Sequence, residues 1–142
     1  MVRNLKRFFY WGNIINCFVM LILIGSVASI INGQTINEYK TSLFTYFSKI
    51  NDQLTLEESF AFAKNMAMSF TIVLIIVFVV TAIANYLLNK DRFLMLCSFL
   101  FFVAGMVTYV GTKGILSFNA LFYWVSMGYS LYRKKEISVQ NE

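Results

Sequence analysis

Charged residues are missing from four long stretches of the chain, 8–37 (30 residues), 65–89 (25), 93–112 (20) and 114–132 (19), and apolar side chains fill most of each. About 20 helical residues at 1.5 Å each cross a hydrocarbon core of about 30 Å, and every backbone amide must be paired inside it. Each stretch therefore predicts a transmembrane helix. The expected fold is all-α, a polytopic membrane protein forming a four-transmembrane-helix antiparallel bundle. It is one membrane domain over 1–142, with spans near 8–31, 65–88, 93–111 and 115–132. A secretory leader competes for the first stretch, because Arg3, Lys6 and Arg7 precede the apolar run and Ser26-Val27-Ala28 resembles a cleavage site. The run is longer than a leader's apolar core, which favours an uncleaved span.

The connections fit a meander. Asn89-Lys90-Asp91-Arg92 predicts a tight turn, with Asn89 ending one helix and Asp91 as the N-cap of the next. Gly111-Thr112-Lys113-Gly114 predicts a second tight turn. No proline occurs, so no proline kink is expected.

The loop 33–64, between the first two spans, is rich in aromatic and aliphatic residues. Ile36, Tyr39, Leu43, Phe47 and Ile50 recur every three or four positions and predict an amphipathic helix lying at the outer interface or capping the bundle. Leu43, Phe47 and Ile50 on that face are the candidate partner-docking residues. Thr55 and Glu58 have capping-box spacing, so the second long helix should start near Leu56 and run into its span without a break.

Within the spans, small and neutral polar residues recur at helical spacing, as faces that pack against other helices do. On the first span these are Asn13, Asn16 and Cys17, then Gly25, Ser29 and Gly33; on the second, Thr71, Leu74, Phe78, Thr81 and Asn85. On the third they are Cys97, Phe101, Ala104, Thr108 and Thr112, with Gly105 beside them; on the fourth, Asn119, Tyr123, Ser126 and Ser130. Trp124 stands mid-span, where its N–H and the Tyr123 hydroxyl need acceptors. Packing on Asn119, Asn16 or a carbonyl is the plain expectation. The alternative is a cleft of Phe122, Tyr123 and Trp124 holding a lipid or small apolar ligand.

Composition strengthens the membrane reading, with 58% hydrophobic and 13% charged residues where a soluble domain has about 25% charged. The net charge of +5 does not point to nucleic acid, because the basic residues sit at the ends of apolar runs. Arg3, Lys6, Arg7, Lys90, Arg92, Arg133, Lys134 and Lys135 fall on one side of the expected meander; Lys40, Lys49, Lys64 and Lys113 fall on the other. The positive-inside rule then places both termini in the cytoplasm.

The chain has no histidine, and Cys17 and Cys97 are isolated, which leaves no zinc set and no activated thiolate. No cofactor or metal is expected. The spans carry no ionisable residue of the kind that proton relays and ion-coupled carriers use. The few acidic residues outside them form no recognisable catalytic group, so an enzyme is not expected.

The segment Val73–Glu136 contains a short Asn-Lys-Asp-Arg turn, Ala104-Gly105, Gly-Ile-Leu at Gly114–Leu116 and a terminal Arg-Lys-Lys-Glu. In these it resembles a family of small four-span membrane proteins of Gram-positive bacteria grouped as a domain of unknown function. That resemblance implies a bacterial plasma membrane and supplies no activity and no site residues. The expected role is a non-enzymatic accessory, regulatory or immunity-type subunit, with a small oligomeric channel or lipid-handling protein as the alternative. The expected partners are the lipid bilayer and a membrane protein or further copies of the chain.

Overall fold

A computed structural model describes residues 2–50 and 53–140, and the side chains of Val2, Arg3, Phe47 and Ile50 lie outside that description. The described residues form helices and turns, with no strand among them. The order is α1 (Val2–Met20), a π-helical turn (Leu21–Gly25), α2 (Ser26–Gly33), α3 (Ile36–Ser42), α4 (Phe44–Ile50), α5 (Leu56–Asn89), α6 (Leu94–Gly111) and α7 (Ser117–Gln140). The rod made by α1, the π turn and α2 packs on α5, α5 on α6, α6 on α7, and α7 returns to α1.

Three of these rods, Asn4–Gly33, Leu56–Asn89 and Leu94–Gly111, are long and apolar enough to cross a membrane. Their outer faces stay apolar: Ile22, Ile75, Phe99 and Val110 are all exposed. In water such a continuous apolar skin would be unfavourable, and in lipid it costs nothing. The fourth expected span is shorter than the charge-free stretch suggested, because 112–116 form a turn and α7 begins only at Ser117. From Ser117 to Tyr132 there are 16 residues free of charge, about 24 Å of helix.

α5 starts at a capping box. The Thr55 hydroxyl accepts from the Glu58 N–H, and the Glu58 carboxylate accepts from the Thr55 N–H. That N–H and the Thr55 hydroxyl together hold the Glu58 carboxyl below its ordinary range. A second capping box, at Thr35 and Glu38, starts α3.

The loop between α2 and α5 differs from the single amphipathic helix expected over 36–50. The chain breaks at Leu43 into two short helices. The break lets the loop fold over the start of α5. Tyr39 is fully buried there, its hydroxyl 2.8 Å from Ser59 Oγ and its ring 5.3 Å from Phe60.

The turn between α5 and α6 also departs from expectation. Asp91 does not cap α6; the residue before α6 is Phe93, in a left-handed conformation and with no side-chain cap. The Asp91 carboxylate turns instead toward Lys6 (2.7 Å) and Arg133 (3.2 Å). It thereby joins the start of α1, this turn and the end of α7, and Arg133 also pairs with Glu136 at 2.7 Å. Burial pushes the Asp91 carboxyl up, but hydrogen bonds from Arg133 and Lys6 outweigh it and hold it below the ordinary range.

Candidate functional site

Inside the ring of rods, neutral polar side chains form a hydrogen-bonded ladder. Asn13 donates to Asn85 Oδ1 (3.2 Å), Asn85 donates to the Tyr10 carbonyl (3.2 Å), and Ser126 donates to Asn13 Oδ1 (3.0 Å). The rung above is reciprocal. Asn119 donates to Asn16 Oδ1 at 2.6 Å, and Asn16 donates to the Asn119 carbonyl at 3.2 Å. Cys17 Sγ lies 3.1 Å from the Tyr123 hydroxyl, and Cys97 Sγ lies 3.4 Å from Ser130 Oγ. α1 contributes at i, i+3 and i+4, which puts Asn13, Asn16 and Cys17 on one face.

Beyond the ladder the interior is filled. Met20 is 1% exposed, with its sulfur 4.0 Å from Thr108 Oγ1 and 3.9 Å from the Tyr123 hydroxyl. Phe101, Ala104 and Thr108 are fully buried beside it. Thr108 also donates within its own helix, to the Ala104 carbonyl at 2.8 Å, whereas the buried Thr81 and Tyr129 hydroxyls have no hydrogen-bond partner among the described residues. The resulting site is dense and neutral.

The structure brings together Asn85, Ala104, Gly105, Thr108, Asn119 and Ser126, all buried between helices. It does not bring Gly25 and Ser29 to such a contact. Ser29 is exposed, a Cβ at Gly25 would make only ordinary contacts with Leu21 and Leu74, and Gly33 has nothing within 4 Å. The buried face of α1 and α2 runs instead through Met20, Ile24, Ala28 and Ile31. Small residues at a spacing of four marked the wrong side, because large Met and Ile side chains fill this seam.

The close approaches are at other glycines. A Cβ at Gly12 would lie 2.5 Å from the Phe122 ring, one at Gly105 2.3 Å from Trp124 Nε1, and one at Gly111 2.3 Å from Val73 Cγ2. Each glycine receives a side chain from a neighbouring helix. Gly12 escaped the sequence reading because it belongs to no repeat, and Gly111 was read there only as part of a turn.

On α5 the expected stripe is displaced. Phe78 is 46% exposed and Thr71 is exposed, whereas Phe70, Val73, Val77, Thr81 and Asn85 are buried. Thr71 donates to the Ala67 carbonyl at 2.9 Å, so it needs no inward partner.

Phe122, Tyr123 and Trp124 do not line one cleft. Consecutive helical residues point about 100° apart, and these three go to different neighbours. Phe122 seats on Gly12, Tyr123 meets Cys17, and Trp124 seats on Gly105 with its ring 6.1 Å from Tyr109. The Trp124 N–H has no hydrogen-bond partner among the described residues. Of the loop residues, Leu43 is half-buried against the core, and the side chains of Phe47 and Ile50 lie outside the described residues.

Two side-chain sets carry structural weight that the sequence reading did not assign, Lys6–Asp91–Arg133 and Tyr39–Ser59. Their partners stand 85, 42 and 20 residues apart, and no local pattern announces such a pairing. Compared with known proteins, the chain matches no family model, no curated protein and no solved structure.

Proposed function

We propose that this chain is a four-span membrane protein acting without catalysis as an accessory, regulatory or immunity-type subunit of a bacterial plasma membrane. The observation that carries the reading is the interior, where Met20, Phe101 and Tyr123 fill the space and neutral amides and hydroxyls close on one another. A conduit needs a continuous polar path with room for water. A filled, neutral core suits a protein that works through its outer surfaces. The resemblance of Val73–Glu136 to small Gram-positive four-span proteins supports the bacterial setting.

In this reading α7 is the fourth span, despite its 16 uncharged residues. Arg133, the first charge after the uncharged part of α7, reaches Asp91 and Glu136, so its charge is compensated where the span would meet the interface. Lys6, Asp91 and Arg133 meet at one end of the protein, which carries eight of the twelve basic residues. The positive-inside rule makes that end cytoplasmic. Single cysteines at Asn4, Lys90 and Gln140 should then resist an impermeant thiol reagent in intact cells, while one at Gln53 should react. Cys17 and Cys97 are buried and should stay silent. Labelling at Lys90 without labelling at Gln53 would end the topology.

The role is tested by affinity purification in mild detergent, with reconstituted flux measurement as its other arm. Replacing Leu43, Phe47 and Ile50 together by Ser should abolish recovery of a membrane-protein partner while the helices stay folded. Robust ion or dye flux that survives those changes but disappears in Asn16, Asn85 and Asn119 variants would replace the accessory reading with a channel.

A further inference from the structure

We propose that the seam between α1 and α5 is a binding site for one anionic phospholipid, its phosphate at Arg7 and Asn89 and an acyl chain along Ile14, Phe18 and Ala82. The inference rests on the membrane reading above but not on which face is cytoplasmic.

Two recesses follow one another along this seam. The first, of about 300 Å³, lies at the charged end and is lined by Lys6, Arg7, Tyr10, Trp11 and Asn89. The second, of about 170 Å³, begins one helical turn further in and presents a mostly apolar surface, with Ile14, Phe18, Phe78 and Ala82 among its walls and Cys17, Thr81 and Asn85 at its inner side. Tyr10 to Ile14 is one turn of α1, and Asn89 to Asn85 is one turn of α5. A polar recess continued by an apolar one has the order of a phospholipid's parts.

Charge selects the headgroup. Asp91 and Glu136 are already engaged by Lys6 and Arg133, and among the described residues no carboxylate pairs with Arg7, Lys90 or Arg92. A helix C-terminus ordinarily repels an anion, because its last carbonyls point outward. Here those of Tyr86, Leu87 and Leu88 are taken by the N–H groups of Lys90, Arg92 and Asp91 at 3.1–3.2 Å. What the recess offers is donors: the Arg7 guanidinium, the Asn89 amide and the protons of Lys6 that Asp91 does not use. Tyr10 and Trp11, ring centroids 5.6 Å apart, are amphipathic groups suited to the interfacial depth of a glycerol backbone.

Native mass spectrometry of the full chain from detergent, with phosphatidylglycerol and phosphatidylcholine of matched acyl chains, tests the site. Phosphatidylglycerol should be retained in preference. Arg7→Gln should weaken that retention about fivefold, the effect of about 1 kcal/mol for one basic residue at the surface. Lys135→Gln removes the same charge from the same end but away from the recess, and should leave retention within about twofold. Ala82→Phe, which fills the inner recess from an exposed position, should also weaken it. Equal retention of the two lipids, an equal loss in Lys135→Gln, or displacement by an excess of inorganic phosphate would each overturn the proposal. Arg7→Gln should remain in the membrane fraction after alkaline extraction, whereas loss of the unaltered protein from that fraction would instead remove the membrane reading itself.

Discussion

Gly105→Leu should lower the stability of the detergent-solubilised protein by about 2 kcal/mol or more, read from thermal or denaturant unfolding. A Cβ at this position would come within 2.3 Å of Trp124 Nε1 and 2.6 Å of Trp124 Cδ1, well inside van der Waals contact, and leucine adds three further carbons. The indole is half-buried and lies against Gly105 and Tyr109, both on α6, so leucine must push it aside or widen the α6–α7 seam. A better helix propensity returns about 1 kcal/mol, less than overpacking costs. Phe99→Leu, at a position 60% exposed on the same helix, should change stability by less than about 0.5 kcal/mol. Gly33→Leu, with open space around it, should be equally mild. Because the clash is with one side chain, Trp124→Ala introduced into Gly105→Leu should recover part of the loss. Equal shifts for Gly105→Leu and Phe99→Leu would show that the seam is not close-packed there.

Replacing Asn85 by Leu should cost about 2 kcal/mol, the penalty of leaving buried partners unpaired. Asn85 accepts from Asn13 and donates to the Tyr10 carbonyl, which ties α5 into the ladder on α1. Asn13→Leu removes the same bond from the other side and also takes away one of the two acceptors of the Ser126 hydroxyl. The double variant should therefore cost less than the sum of the two, with a coupling of about 1 kcal/mol. Ser126 keeps its bond to the Phe122 carbonyl in either background, which limits the collateral loss. Strictly additive costs would mean that the Asn13–Asn85 bond contributes no net stability.

Much of the inward chemistry was legible in advance because it is periodic. On α6 and its C-cap, Cys97, Phe101, Ala104, Thr108 and Thr112 follow helical spacing in an otherwise apolar run, and all are buried. Asn119, Tyr123, Ser126 and Ser130 do the same on α7. A neutral polar group in lipid has few alternatives to facing another helix, so its position reports the packing face. The inference failed where a polar residue could satisfy itself. Thr71 bonds back to its own helix and faces outward, and Ser29 is exposed on α2. Gly12 was silent, and Gly111 spoke only for a turn, because their packing roles depend on Phe122 and Val73 arriving from other helices.

By itself, the sequence determined that the chain is helical, where its long apolar helices lie, that α5 starts at Leu56 behind the Thr55 cap, and that the polar residues of α6 and α7 turn inward. These are local or periodic properties, set by charge-free length, capping chemistry and the 3.6-residue repeat. The tertiary structure alone decided which polar groups pair, as Asn16 with Asn119 and Asp91 with both Lys6 and Arg133. It alone decided the break at Leu43 that folds the loop over α5, and which glycines receive a neighbouring ring. Such choices depend on the relative rotation and height of helices far apart in the chain. Those are set by how side-chain volumes interlock, a quantity that no single helix's pattern contains.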